Sequence, residues 1–305
     1  MEPAVLDAAT LEKLISAAVA APSMLHTQPW RYRLNPDTLT LEVRAAPERG
    51  LRQADPMGRA LCVSAGAAVC NLRVAVAHFG WEPVVRLLPH RSQPDLLATV
   101  RLTMIPRGGA PNPVGLYDMI WRRPGSRYPY PGRRLPPREL GAFAEAARGD
   151  GATLYPAGPE ETARLLRLTA EAERRGAEGH RGRGATDGRG RDGGPEGRPT
   201  IAVLTTAHDR RADWLRAGQA LGHILLLATA HGVRATLLHQ ALEWSDLRWA
   251  LSDGRRAPGH VQMLIRLGPN MDGQESGPEG VPGTGVSGAG AGRPTPAGFR
   301  RPGAR

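Results

Sequence analysis

Apolar positions recur every three to four residues over 9–20, 58–79, 115–122, 137–147, 159–174, 211–231 and 244–251, and each stretch predicts a helix. Between them lie short runs rich in β-branched residues, at 30–34, 39–44, 83–88, 97–104, 200–206, 233–238 and 260–267, which predict strands. Helices alternating with strands indicate an α/β or α+β domain. The order divides into a first region over 1–107 and a second over 108–268, joined by the Pro- and Gly-rich linker "PRGGAPNP".

The two longest apolar stretches echo each other. "AGAAVCNLRVAVAHFG" (65–80) and "AGQALGHILLLATAHG" (217–232) share length, an Ala-Gly start and a Gly end, at an offset of 152 residues. Gly66 and Gly218 would let two helices approach closely, and Gly80 and Gly232 suit left-handed helix ends. A duplicated fold packed on two central helices follows from the repeat. Asn71, Arg73, Arg216, Gln219 and His223 interrupt both runs, so these read as core helices and not as membrane spans.

Two segments carry few large apolar side chains: a Gly/Arg-rich insert at 176–198 and a Gly/Pro-rich tail at 269–305. Neither can bury enough surface to offset the entropy of ordering, so both are expected to be flexible. The insert contains Gly188, Gly190 and Gly193 in a formal dinucleotide-binding spacing. No strand precedes them and Pro195 follows, so the match is accidental.

The chain has 305 residues and a formal charge of +11, and Lys13 is its only lysine. Such an arginine bias reflects a GC-rich coding background as readily as an anionic partner, which disfavours nucleic acid as the ligand. An RNA-binding role for the insert lacks interleaved aromatics. No basic, apolar, small-residue progression opens the chain, so a cytoplasmic location without membrane association is expected. Cys62 and Cys70 fall on one helix about 12 Å apart, too far for a disulfide. They read as reduced core thiols, and a Cys-based zinc site lacks further ligands.

The stretch "APSMLHTQPWRY" (21–32) resembles the "APSxxNTQPW" turn of the flavin-dependent nitroreductase family. "SAGAAVCNLRVAVAHFGWEP" resembles its first-half central helix. "MIWRRPGSRYPY" resembles a basic "RRTNRxPF" entry to a second half, and "IAVLTTAHDRRADWLRAGQALGHILLLATAHG" a second central helix. The likeness is to an internally duplicated branch typified by the mycobacterial Acg proteins. It implies an α+β nitroreductase-like fold in which two tandem half-units form an intramolecular pseudo-dimer around the central helices.

The resemblance also implies FMN as cofactor, with NADH or NADPH as electron donor and a small-molecule electron acceptor. Hydride chemistry would then reside on the flavin, so no catalytic acid, base or nucleophile need appear. Carried over residue by residue, the cofactor-binding set is Pro22, Ser23, His26 and Gln28 from the turn and Arg123, Ser126 and Arg127 from the basic motif. His239 and Gln240 follow the second repeat's strand, and Arg301 lies in a terminal "RPTPAGFRRP". Arginine forks suit a terminal phosphate. Trp30 reads as a core plug beneath the turn. His26 stands where the family has Asn, and Pro124-Gly125-Ser126 departs from the basic motif. The expected activity is an NAD(P)H-dependent nitro- or quinone-reductase, the alternative an FMN-sequestering protein with little turnover. One turn and one basic motif per chain imply a single site and a monomeric pseudo-dimer.

Overall fold

The computed structural model describes residues 6–24, 27–46, 48, 55–104, 115–123, 135–179, 200–252 and 259–269. In the first half, helix α1 (Ala8–Val19) leads through the turn into strands β1 (Trp30–Asn35) and β2 (Thr40–Ala45). Helix α2 (Arg59–His78) and strands β3 (Trp81–Leu87) and β4 (Leu96–Met104) follow. The second half begins with α3 (Leu116–Arg122), α4 (Pro137–Gly149), β5 (Thr153–Pro156), α5 (Pro159–Gly179) and β6 (Thr200–Thr206). It ends with α6 (Arg211–Ala230), β7 (Val233–Leu238), α7 (Gln240–Glu243), α8 (Ser245–Ser252) and β8 (His260–Pro269).

The strands form two antiparallel sheets of the same order, β1-β2-β4-β3 and β5-β6-β8-β7. Each has a register shift at the matching place, between Val43 and Arg44 in one and between Leu204 and Thr205 in the other. Helix α2 packs on the first sheet, α6 on the second, and the two helices pack on each other. One hydrophobic core therefore runs from sheet to sheet.

Burial on all sides explains the composition of the central helices. A helix enclosed by a sheet, a partner helix and α1 or α4 has no solvent face, so α2 is long and apolar enough to cross a membrane yet serves as a core helix. Backbone contact needs glycine at the crossing. A Cβ on Gly66 would sit 2.2 Å from the Leu215 carbonyl oxygen, and one on Gly218 would sit 2.1 Å from that of Val63. Val63 and Leu215 are themselves 152 residues apart, so the contact is reciprocal about a pseudo-twofold axis. Farther along, Gly222 faces its own equivalent, Cys70. Gly80 (φ 92°) and Gly232 (φ 64°) terminate the two helices in the left-handed region, as their sequence position requires.

The halves differ on their outer faces. Strand β6 is buried on both faces, because α5, α7 and α8 cover its outer side with a second apolar cluster of Leu165, Ala172, Leu242, Leu247 and Leu251 against Ile201, Val203, Val261 and Leu264. Strand β1 instead alternates covered positions, Trp30 buried and Tyr32 and Leu34 half-buried, with exposed ones.

Four local expectations are corrected. Strand β5 is not legible in the sequence: it has four residues and ends at Pro156, and pairing with β6 makes it a strand. Helix α5 continues to Gly179, into the first residues of the Gly/Arg-rich insert; 180–198 lie outside the described residues. The helix expected over 244–251 is α8, shifted by one residue, and a helical turn that was not expected, α7, precedes it, the two separated by Trp244 in extended conformation (ψ 124°). Strand β8 runs to Pro269, past its expected end.

Candidate functional site

Asp7 caps α1, its carboxylate accepting from the Thr10 amide, and α1 ends at Ala20, where Pro22 bars continuation. Ser23 then organises the turn: its Oγ accepts from the backbone amides of Thr27 and Gln28, both at 3.2 Å. Gln28 adopts a left-handed backbone (φ 44°), and its side-chain amide donates to the Val19 carbonyl at 3.3 Å. The turn is fastened to the core by Ser64 of α2, whose Oγ accepts from the Met24 amide at 3.0 Å and donates to Ala60 O at 2.7 Å. Trp30 is buried, the plug its position implies.

The start of α2 also carries a group that the sequence reading missed. Arg59, its first residue, is 4% exposed, and its guanidinium donates to the Gln262 side-chain oxygen at 3.2 Å and to the Gln262 carbonyl. Gln262 is fully buried at the register shift of β8, and its amide donates to Thr206 Oγ1 and Asp209 Oδ1 at 3.0 and 3.1 Å. The Trp214 indole N–H donates to the same Asp209 oxygen, and Arg248 lies 3.5 Å from the other. These partners hold Asp209 below the usual carboxylate range against the opposing effect of burial. Burial lowers Arg59 to about 10, with Arg248 adding repulsion and Asp209, Asp55 and Glu243 partly offsetting it.

Arg59 has an equivalent, Arg211, at the first position of α6, which donates to the Pro94 carbonyl at 2.7 Å. Each central helix thus sends its first arginine into the opposite half. The only sequence signal for this is the 152-residue offset.

His239 and Gln240 lie at the end of β7, as expected. His239 Nδ1 is 2.7 Å from Glu243, and the Gln240 side-chain oxygen is buried without a hydrogen-bond partner among the described residues. Arg123 is the C-cap of α3 and is half-buried. It has no hydrogen bond or ion pair among the described residues, and burial lowers its pKa. An uncompensated, partly desolvated guanidinium is a ready partner for an anion. Among the described residues, no hydrogen bond joins the Pro22–Gln28 turn to Arg123, His239 or Gln240. His26, Ser126, Arg127 and Arg301 lie outside the described residues.

The second half lacks a matching turn. Asp150, Gly151 and Ala152 connect α4 directly to β5, and the residue equivalent to Ser64 is Arg216. A Cβ on Gly151 would lie 3.0 Å from the Arg216 Cδ, so the arginine stem packs under that short connection. Asp150 is instead part of a link between the halves, with Arg73 at 2.5 Å and His223 at 3.1 Å.

Two curated relatives are proteins of Mycobacterium tuberculosis. One, provisionally named an NAD(P)H nitroreductase, is 29% identical over 299 residues, covering 86% of this chain and 86% of its own. The other, uncharacterised, is 26% identical over 307 residues, covering 85% of this chain and 86% of its own. The chain is nitroreductase-like. No protein-family model matches it. Among solved structures, a nitroreductase from Bacteroides fragilis with bound FMN aligns over 56% of this chain and 97% of its own, at 17% identity and a TM-score of 0.37. A provisionally named nitroreductase from Anabaena variabilis aligns over 87% of this chain and 74% of its own, at 12% identity and a TM-score of 0.48.

Proposed function

We propose that this nitroreductase-like protein is an FMN-dependent oxidoreductase that accepts hydride from NADH or NADPH and passes electrons to a small nitroaromatic or quinone. The observation that carries this reading is Arg123: the first residue carried over from the basic motif is a half-buried cation without a counter-charge among the described residues. The other groups suit the same cofactor. The Pro22–Gln28 turn offers short polar side chains and backbone groups to a flat heterocycle, and the Gln240 oxygen is a buried acceptor in need of a donor. Bound FMN would supply reversible hydride chemistry, which no side chain provides.

The protein's own part is to bind and orient. Ser64 and Ser23 hold the turn, while Arg59 and Gln262 fix the start of α2, on which the turn rests. Arg123 and Arg127 would take the phosphate, with Arg301 returning from the terminal segment. The packing of Arg216 under Gly151 supports one site per chain. A monomer in the cytoplasm completes the proposed reading. The second reading, an FMN-sequestering protein, is favoured by the Pro124-Gly125-Ser126 departure from the basic motif. Absorption spectra of the purified protein with and without added FMN test the cofactor. Steady-state NAD(P)H oxidation by the loaded protein with a quinone then separates turnover from storage.

A further inference from the structure

His239 stands between β7 and α7, and its Nδ1 lies 2.7 Å from the carboxylate of Glu243, one helical turn farther on. An ionised carboxylate can only accept, so Nδ1 carries a hydrogen and the ring is held in one orientation. Nε2 makes no hydrogen bond among the described residues. The side chain is 21% exposed, so a ligand can reach the ring.

The neighbouring charges are engaged elsewhere. On α8, Arg248 faces Asp209 at 3.5 Å. On α5, which packs on α7, Arg164 donates to the Ala250 carbonyl at 2.8 Å, and Arg175 pairs with Glu171 and Asp246. At the start of α2, Arg59 donates to Gln262, and Asp55 accepts from the Leu61 amide. Glu243 is thus the charged group that holds His239. The pair also converges with the Pro22–Gln28 turn. Glu243 is near enough to attract the buried Arg59 guanidinium, and Ser64, which anchors the turn, follows Arg59 about 7.5 Å along the same helix. The fold does not require this histidine, since at the 152-residue offset its counterpart is Leu87, the last residue of β3.

We propose that His239 is a catalytic acid that protonates a quinone-type acceptor from Nε2, and that Glu243 is the positioning residue that keeps the hydrogen on Nδ1 and aims Nε2 outward. The inference rests on the proposed flavin chemistry and deepens it. Reduction of a quinone to a hydroquinone takes up one hydride and one proton. The hydride comes from the reduced flavin, which is oxidised as the quinone is reduced. The proton leaves Nε2 of the imidazolium: that N–H bond breaks, and an O–H bond forms on the acceptor. A neutral imidazole with its hydrogen on Nδ1 remains, and Nε2 regains a proton from water. The favoured substrates are therefore acceptors that must be protonated as they are reduced, as distinct from carriers of electrons alone.

The test compares benzoquinone with ferricyanide, which takes up electrons without protons, as oxidants of the FMN-loaded full chain supplied with NADH or NADPH. In His239→Gln the ratio of the benzoquinone rate to the ferricyanide rate should fall about 100-fold, the lower end of general acid catalysis. In Glu243→Leu the ratio should fall in the same direction by less. A second readout needs neither flavin nor turnover. Long-range proton–nitrogen NMR, with the His239 signals assigned by their loss in His239→Gln, should show the neutral ring as the Nδ1–H form in the wild type and as a mixture of tautomers in Glu243→Leu. An unchanged rate ratio in FMN-loaded His239→Gln, or an Nε2–H ring in the wild type, would overturn the proposal and leave the flavin reading standing. Wild-type protein that binds no FMN, or that reduces neither oxidant, would overturn both.

Discussion

Gly66 and Gly218 meet backbone to backbone where α2 crosses α6, each occupying the space in which the other's helix would hold a side chain. A Cβ on either glycine would fall within 2.9 Å of main-chain atoms, which cannot rotate away as a side chain can. Gly66→Ala and Gly218→Ala should each destabilise the protein by about 3 kcal/mol, at the upper end of overpacking costs. Thermal or urea unfolding measures this. A loss below about 0.5 kcal/mol would mean that the helices lie farther apart.

Asp150 joins the halves at a second place. Its carboxylate is 4% exposed and faces Arg73 and His223. Burial alone would raise its pKa, but the hydrogen bond with His223 and the charge of Arg73 outweigh that and hold it below 3.8. The ionised form is therefore favoured in the folded state. Its contribution is fully present above the ordinary Asp value and is lost as pH falls through the lowered one. Asp150→Asn should cost about 3 kcal/mol near neutral pH and flatten the fall in stability below pH 4. Unfolding curves from pH 3 to 7 would show an unchanged acid limb if Asp150 were not ionised in the fold.

Arg59 and Gln262 lie 203 positions apart in sequence and share two hydrogen bonds. A double-mutant cycle with Arg59→Met and Gln262→Met should give a coupling of about 1–3 kcal/mol. Additive effects on stability would show that the pair does not interact in solution.

Gln28 holds a left-handed backbone in the turn proposed to border the flavin. Gln28→Gly should leave stability unchanged or improve it by up to about 1 kcal/mol, since glycine adopts that conformation freely. The same substitution should weaken FMN, and a variant with unaltered FMN affinity would take Gln28 out of the site.

Arg123→Ala and Arg127→Ala should each weaken FMN by about 1.5–3 kcal/mol while preserving the fold, the scale of a charged hydrogen bond. Flavin quantitation should give one FMN per chain at saturation, bound by a monomer in analytical ultracentrifugation. Two flavins per chain, or binding only by a dimer, would refute the single-site reading.

What the sequence determined by itself is what local chemistry encodes. The long helices are legible because their apolar runs are continuous, and the glycine ends at Gly80 and Gly232 because a left-handed residue is needed there. The turn around Ser23 is legible because its proline, serine and tryptophan act within ten residues of one another. The short strand β5 is not, because four residues carry no period and only pairing with β6 makes them a strand. The Arg59–Gln262–Asp209 network was decided by tertiary structure alone. An arginine at a helix start reads as a solvated charge until the opposite half closes over it. Burial is a property of what packs against a residue, and those partners lie far away in sequence.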